Sequence, residues 1–186
     1  NSHGFDLYEM HGKTLGIIGF GNIGKKVAKI CNSFGMKILY YDKVRASRKL
    51  EKKLDAKFVS KNIIIKKSDI LTIHLHLNNK TKKIIDKKTI QKMKKNSILI
   101  NVSRSQLVDN KALLEALKHN KIRGAGLDVH DKEPTVKNDE LNNHPGVVVT
   151  PHISGSTYDT YLRVIKSCLE NIENTIKNRK NIKWEV

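Results

Sequence analysis

A glycine-rich turn set between an apolar run and a helical pattern constrains this chain more than any other feature. Residues 14–24 read Thr-Leu-Gly-Ile-Ile-Gly-Phe-Gly-Asn-Ile-Gly, so Gly19, Gly21 and Gly24 form G-x-G-x-x-G. The run 15–18 is short, apolar and partly β-branched, as suits a buried parallel strand. Residues 22–34 then place Ile23, Val27, Ile30 and Phe34 on one helical face. Residues 37–41 read as a second strand, and Asp42 ends it, 18 residues after Gly24. Strand, turn, helix, strand and acid, in that order, are what a dinucleotide site requires.

Each residue has a physical part in such a site. Gly19 allows the tight turn, Gly21 lets the main chain approach a pyrophosphate, and Gly24 lets helix and strand pack closely. Asn22 and Ile23 open the helix, whose N-terminus offers unpaired N–H groups and partial positive charge to the phosphates. Asp42 can accept from both ribose hydroxyls, and its charge repels a 2′-phosphate. This favours NAD over NADP. Lys43, Arg45 and Arg48 lie just beyond it and keep NADP as the alternative.

At 186 residues the chain suffices for one well-packed domain and an appendage. No apolar run approaches the roughly 20 residues of a membrane span. The N-terminus, Asn-Ser-His-Gly-Phe-Asp, has no secretory pattern and no initiator methionine, so a processed or truncated piece of a longer chain is expected. Cys31 and Cys168 form no C-x-x-C pair or His/Cys cluster; they read as reduced thiols of a cytoplasmic protein with no metal. The net charge of +18 invites a nucleic-acid partner. The lysines are scattered, however, outnumber arginine and lack interleaved aromatics, so a solvated basic surface is expected instead.

The pattern beyond Asp42 keeps alternating. Helices are predicted over 46–54, 60–67, 87–93 (capped by Asp86) and 110–119 (capped by Asp109, with Leu113, Leu114 and Leu117 inward). Strands are predicted over 57–59, 70–74, 97–102, 124–129 and 147–150. A last long helix covers 156–179, with Tyr161, Ile165, Leu169, Ile172 and Ile176 at helical spacing. Alternation of this kind predicts an α/β, Rossmann-type, doubly wound parallel sheet. Ligands then gather at the carboxyl ends of the strands, where Asp42, His74, Ser103, Arg104, Asp128, Glu133 and His152 fall.

At this point the chain resembles the D-isomer-specific 2-hydroxyacid dehydrogenases. The resemblance rests on residues 12–24, on Asn101-Val102-Ser103-Arg104, on Gly126-Leu127-Asp128-Val129 with Glu133-Pro134, and on Thr150-Pro151-His152-Ile153-Ser154-Gly155-Ser156-Thr157, in the family's order. It implies that Arg104, Glu133 and His152 are catalytic. It also implies that Leu75, Val102, Ser103, Arg104, Asp128, His152 and Gly155 lie along the cofactor. The chemistry suits them: a planar fork for a carboxylate, an imidazole as proton donor, and a carboxylate to hold that imidazole's tautomer. Within the family, residues 12–24 and 101–104 look most like D-3-phosphoglycerate dehydrogenase, the entry step of serine synthesis. Non-enzymatic, NAD-sensing corepressors share fold and trio and stand as the alternative.

Departures from the family pattern are His76 in place of a proline, Ser105 in place of a glycine, and His130 in place of an aromatic. Ser105 would be strained were its φ positive. His3, His11, His119, His130 and His144 are expected to be surface or satisfied histidines. Residues 1–157 should form the dinucleotide-binding domain, and 158–186 a helix and tail returning toward a substrate domain largely missing from the chain. A small 2-hydroxy acid and a second copy, as a homodimer, are the partners the resemblance implies.

Overall fold

The computed structural model describes residues 8–177, which fall into two compact units, one ending at Pro151 and one beginning at His152. The first unit runs β1 (Thr14–Ile18), α1 (Asn22–Ser33), β2 (Lys37–Tyr41), α2 (Arg48–Leu54), β3 (Ala56–Phe58), α3 (Lys61–Lys67) and β4 (Ile70–Ile73). It continues with α4 (Lys87–Lys92), β5 (Ile98–Asn101), a 3-10 turn (Ser105–Leu107), α5 (Asn110–Lys118), β6 (Gly124–Leu127) and β7 (Val147–Val149). All neighbouring strands pair in parallel, in the order β3-β2-β1-β4-β5-β6-β7. The chain thus winds outward from β1 to one edge, returns to lay β4 on the other side of β1, and winds outward again. That reversal opens a crevice above β1 and β4.

The burial of adjacent residues explains why both faces are covered. Ile17 and Ile18 are both fully buried yet belong to different clusters: Ile17 with Leu15, Ala28, Ile38 and Tyr40, and Ile18 with Ile64, Leu71, Ile73, Leu99 and Leu113. Successive strand residues point to opposite faces, so near-continuous apolar runs are what a sheet sandwiched by helices needs. Each such side chain contributes about 1.5–3 kcal/mol of apolar burial. Helix starts are set by short polar side chains. Ser47, Ser60, Asp86 and Asp109 accept from N–H groups of the first turns of α2, α3, α4 and α5.

The structure resolves two points that the sequence left open. The face of α1 carrying Ile23, Ile30 and Phe34 is more than half exposed, while Gly24 and Ala28 are buried and Val27 and Cys31 partly so. Close approach is the reason: a Cβ on Gly24 would lie 2.2 Å from the Gly19 carbonyl oxygen, so only small residues fit against β1. Ser105, in turn, is not strained. It opens the 3-10 turn and is absent from the positive-φ residues, which among those described are Asp55, Lys83, Asn120 and His152 besides glycines.

The second unit holds α6 (Tyr158–Ile176), whose cap Thr157 accepts from Thr160 N–H at 3.1 Å. Tyr161, Ile165, Leu169, Ile172 and Ile176 recur along it as expected, and all are exposed. The expected helix end at 179, the tail 182–186 and His3 lie outside the described residues. Among the described residues no helix is long and apolar enough to cross a membrane, and no group of three or more His, Cys, Asp or Glu side chains could hold a metal ion.

Candidate cofactor and active site

The turn between β1 and α1 is built to stay open. Gly19 has φ +96°, and a Cβ there would lie 2.4 Å from the His74 carbonyl oxygen at the end of β4. No L side chain fits. Gly21 is the reverse, since a Cβ there would meet nothing within 4 Å. Its backbone is extended and it caps α1 without a side-chain hydrogen bond, and no acid stands in the first turn. All the other α-helices described are capped by a serine, threonine or aspartate. The first N–H groups of α1, at Asn22, Ile23 and Gly24, therefore have no side-chain cap, and Asn22 and Ile23 are exposed at the positive end of the helix dipole. This is the cradle a pyrophosphate needs.

Asp42, at the end of β2, closes the other side. Its Oδ2 accepts from Phe20 N–H at 2.6 Å, and its Oδ1 accepts from Lys43 N–H at 2.6 Å. Each oxygen keeps a lone pair for a ribose hydroxyl. Phe20 is buried and stacked on Tyr40, with centroids 3.9 Å apart, which fixes the turn from beneath. The cations beyond Asp42 are partly committed. Arg45 donates from Nε at 2.9 Å and Nη2 at 2.8 Å to both oxygens of Glu51, which also accepts from Tyr40 Oη at 2.7 Å. The Arg45 hydrogen bond chiefly, and Tyr40 after it, hold the Glu51 carboxyl down to about 2. A 2′-phosphate would have to compete for that guanidinium. The residues present fit NAD.

Along the same strand edge, His74 follows β4. Its Nε2 pairs with Thr72 Oγ1 at 3.0 Å, its Nδ1 is buried without a partner, and burial pulls the imidazole down to about 4. Leu75 comes next, and its Cδ2 would lie 3.0 Å from a Cβ on Gly19. After β5, Asn101 shapes the turn: its Nδ2 donates to the Arg104 carbonyl at 2.9 Å, and its Oδ1 accepts from Ser103 N–H at 3.2 Å. Ser103 Oγ donates to the Ile73 carbonyl at 2.8 Å, so Val102 and Ser103 lie across the ends of β4 and β5. Arg104 is exposed and donates from Nη1 to the Ser103 carbonyl at 2.6 Å.

Asp128 follows β6, 2% exposed, and accepts from Thr150 Oγ1 at 2.6 Å. Glu133 is exposed, with Oε1 accepting from His130 N–H at 3.0 Å. Gly19, Gly21, Gly24 and Asp42 thus form one cradle, and Leu75, Val102, Ser103, Arg104, Asp128 and Glu133 belong to loops leaving the same ends of the strands. His152 and Gly155 belong to the second unit, where His152 has φ +56° and Gly155 faces open space. Residues to which sequence reasoning gave no part in the site are Asn101, Thr150 and Asn142. Asn101 acts within its own turn, whereas Thr150 and Asn142 act through hydrogen bonds between separate loops, for which no local pattern exists.

A parallel doubly wound sheet with an uncapped glycine turn at its reversal and an acid after β2 defines a Rossmann dinucleotide-binding domain. The family model described as the D-isomer specific 2-hydroxyacid dehydrogenase NAD-binding domain matches residues 1–154, and the chain belongs to that family. It is 42% identical to a glyoxylate reductase of Aeropyrum pernix over 88% of this chain and 49% of that one. It is 41% identical to 4-methyl-2-oxopentanoate reductase A of Aspergillus oryzae, over 92% of this chain and 51% of that one. Among solved structures, a glyoxylate reductase from Paecilomyes thermophila superposes with a TM-score of 0.84 at 38% identity, covering 91% of this chain and 51% of that one. The chain therefore spans about half the length of the curated relatives it matches. The expected likeness to phosphoglycerate dehydrogenase is corrected here, since these relatives are reductases of glyoxylate and of a branched 2-oxo acid.

Proposed function

We propose that the chain is the coenzyme-binding half of an NAD-dependent oxidoreductase that interconverts a small 2-oxo acid and its D-2-hydroxy acid. The observation that carries this reading is the uncapped start of α1 opposite Asp42, at the strand edge from which the loops of Arg104, Asp128 and Glu133 also leave. NAD, when bound, supplies or accepts the hydride. Gly21, Asn22, Ile23 and Gly24 hold its pyrophosphate, Asp42 its adenosine ribose, Leu75 flanks it on the adenine side, and Val102, Ser103, Asp128 and Gly155 lie toward its nicotinamide end. Arg104 binds the substrate carboxylate through the part of its fork not used on Ser103. His152 gives a proton to the carbonyl oxygen as negative charge builds there, and Glu133 holds that imidazole's tautomer.

The names of the relatives support a glyoxylate-sized 2-oxo acid as substrate. The 3-phosphoglycerate couple, which belongs to the same chemical class of substrate, stands second. By itself the 186-residue chain should bind NADH, as fluorescence titration checks. A homodimer follows from the same resemblance, and sedimentation of the chain at micromolar concentration tests it. The test of function is reduction of a 2-oxo acid panel by NADH in the full-length protein that carries this chain. His152→Ala should lose well over tenfold in kcat. A loss below tenfold refutes the assignment.

A further inference from the structure

The loops after β6 and before α6 enclose a buried imidazole that the proposed chemistry leaves unused. His130 is 8% exposed, and all three of its nitrogens are engaged. Its Nε2 lies 2.8 Å from the Thr150 carbonyl oxygen, its Nδ1 lies 3.2 Å from Asn142 Oδ1, and its main-chain N–H donates to Glu133 Oε1 at 3.0 Å. A carbonyl can only accept, so Nε2 carries the proton. The Asn142 amide can present either end to Nδ1, so that contact suits a neutral ring as well as a charged one.

Thr150 is gripped from its other sides too. Its hydroxyl donates to Asp128 Oδ1 at 2.6 Å, and its N–H donates to the Leu127 carbonyl at 3.0 Å. It immediately precedes Pro151, whose ring restricts both residues and leaves the Thr150 peptide little freedom. The Thr150 carbonyl is thus held in one direction at the exit of β7.

We propose that His130 is a positioning residue. Its Nε2–H fixes the Thr150 carbonyl while its main-chain N–H fixes the Glu133 carboxylate, so one residue sets the stance of both the acid and the segment leading to the imidazole. This rests on the dehydrogenase reading above. An aromatic ring in the same hole would keep the volume and the main-chain bond to Glu133 but would offer Thr150 no donor. Glutamine would be a poorer filler, yet its amide can reach the same carbonyl.

The two variants separate positioning from packing in the full-length protein. His130→Phe should lower kcat for 2-oxo acid reduction about tenfold while leaving the Kd for NADH within twofold, since the Gly19–Gly24 turn is untouched. His130→Gln should stay within threefold of the unaltered enzyme. A packing role alone predicts the opposite order, and that order, or two equal variants, overturns the proposal. If the unaltered enzyme reduces none of the acids, the dehydrogenase reading fails by itself, and the device is judged by NMR on the 186-residue chain. The His130 ring should then show the Nε2–H tautomer with a slowly exchanging proton. The Thr150 carbonyl carbon should move in His130→Phe and return in His130→Gln. An Nδ1–H tautomer or an unmoved carbonyl overturns it.

Discussion

His74 should make the fold acid-sensitive in a way that one substitution removes. Its Nδ1 is buried without a partner and its Nε2 has only Thr72 Oγ1, so nothing nearby repays the cost of charging the ring. Burial therefore pulls the imidazole from 6.5 to about 4. The unfolded chain binds this proton before the folded one does. Stability is thus fully present above about pH 6.5 and falls as pH drops toward 4. The two limits differ by about 3 kcal/mol, and about 2 kcal/mol of that is lost by pH 5. Both figures are upper bounds, because the ring keeps some contact with solvent. In His74→Leu a similar volume is kept, a hydrogen bond worth about 1 kcal/mol goes, and a buried orphan nitrogen goes with it, so stability at pH 8 should change little. The quantity to measure is the difference between the two proteins' urea-unfolding free energies, at pH 8 and again at pH 5, which cancels the carboxylates they share. It should swing by about 2 kcal/mol in favour of the leucine variant at pH 5, or about 4–8 °C in Tm. Parallel stability curves between pH 8 and pH 5 would refute the burial argument.

The remaining expectations concern the cofactor cradle. Gly21→Ala adds a Cβ that meets nothing, so Tm should hold within a degree or two while NADH affinity falls at least tenfold by fluorescence titration. Gly19→Ala should unfold at markedly lower urea, by about 2 kcal/mol or more, because φ +96° and the His74 carbonyl both oppose it. Asp42→Ala removes the acceptor for Phe20 N–H and the charge that repels a 2′-phosphate; calorimetry should show about 10- to 100-fold weaker NADH binding and a narrower gap to NADPH. Glu51→Gln frees the Arg45 guanidinium, so NADPH affinity should rise several-fold with little change in NADH binding; an unchanged ratio would show that Arg45 has no reach to the ribose.

Much of this architecture is legible from residue types alone, and the reasons are local. Parallel strands buried on both faces must be near-continuously apolar, which is why residues 15–18, 70–73 and 98–100 stand out, and Asp86 and Asp109 mark helix starts because a carboxylate satisfies orphan N–H groups. The face of α1 misleads because the apolar stripe and the buried stripe differ. Packing distance selects glycine and alanine, and isoleucine or phenylalanine at those positions would hold the helix away from β1. Spacing reveals the cradle of Gly19, Gly21, Gly24 and Asp42, since all four lie in one strand–helix–strand unit. The clasp of Asp128, His130, Asn142 and Thr150 spans more than twenty residues and leaves no periodic trace, so only coordinates disclose it.

The bare beginning of α1 has one more consequence. A phosphate settling against Asn22, Ile23 and Gly24 would supply the acceptor that a serine or aspartate provides elsewhere, and so would complete a piece of secondary structure as it docks. Nucleotide and polypeptide are in that sense co-authors of the first helical turn. Amide exchange at positions 22–24 should slow on adding NADH, and the melting temperature should climb with nucleotide concentration long after the binding isotherm has levelled.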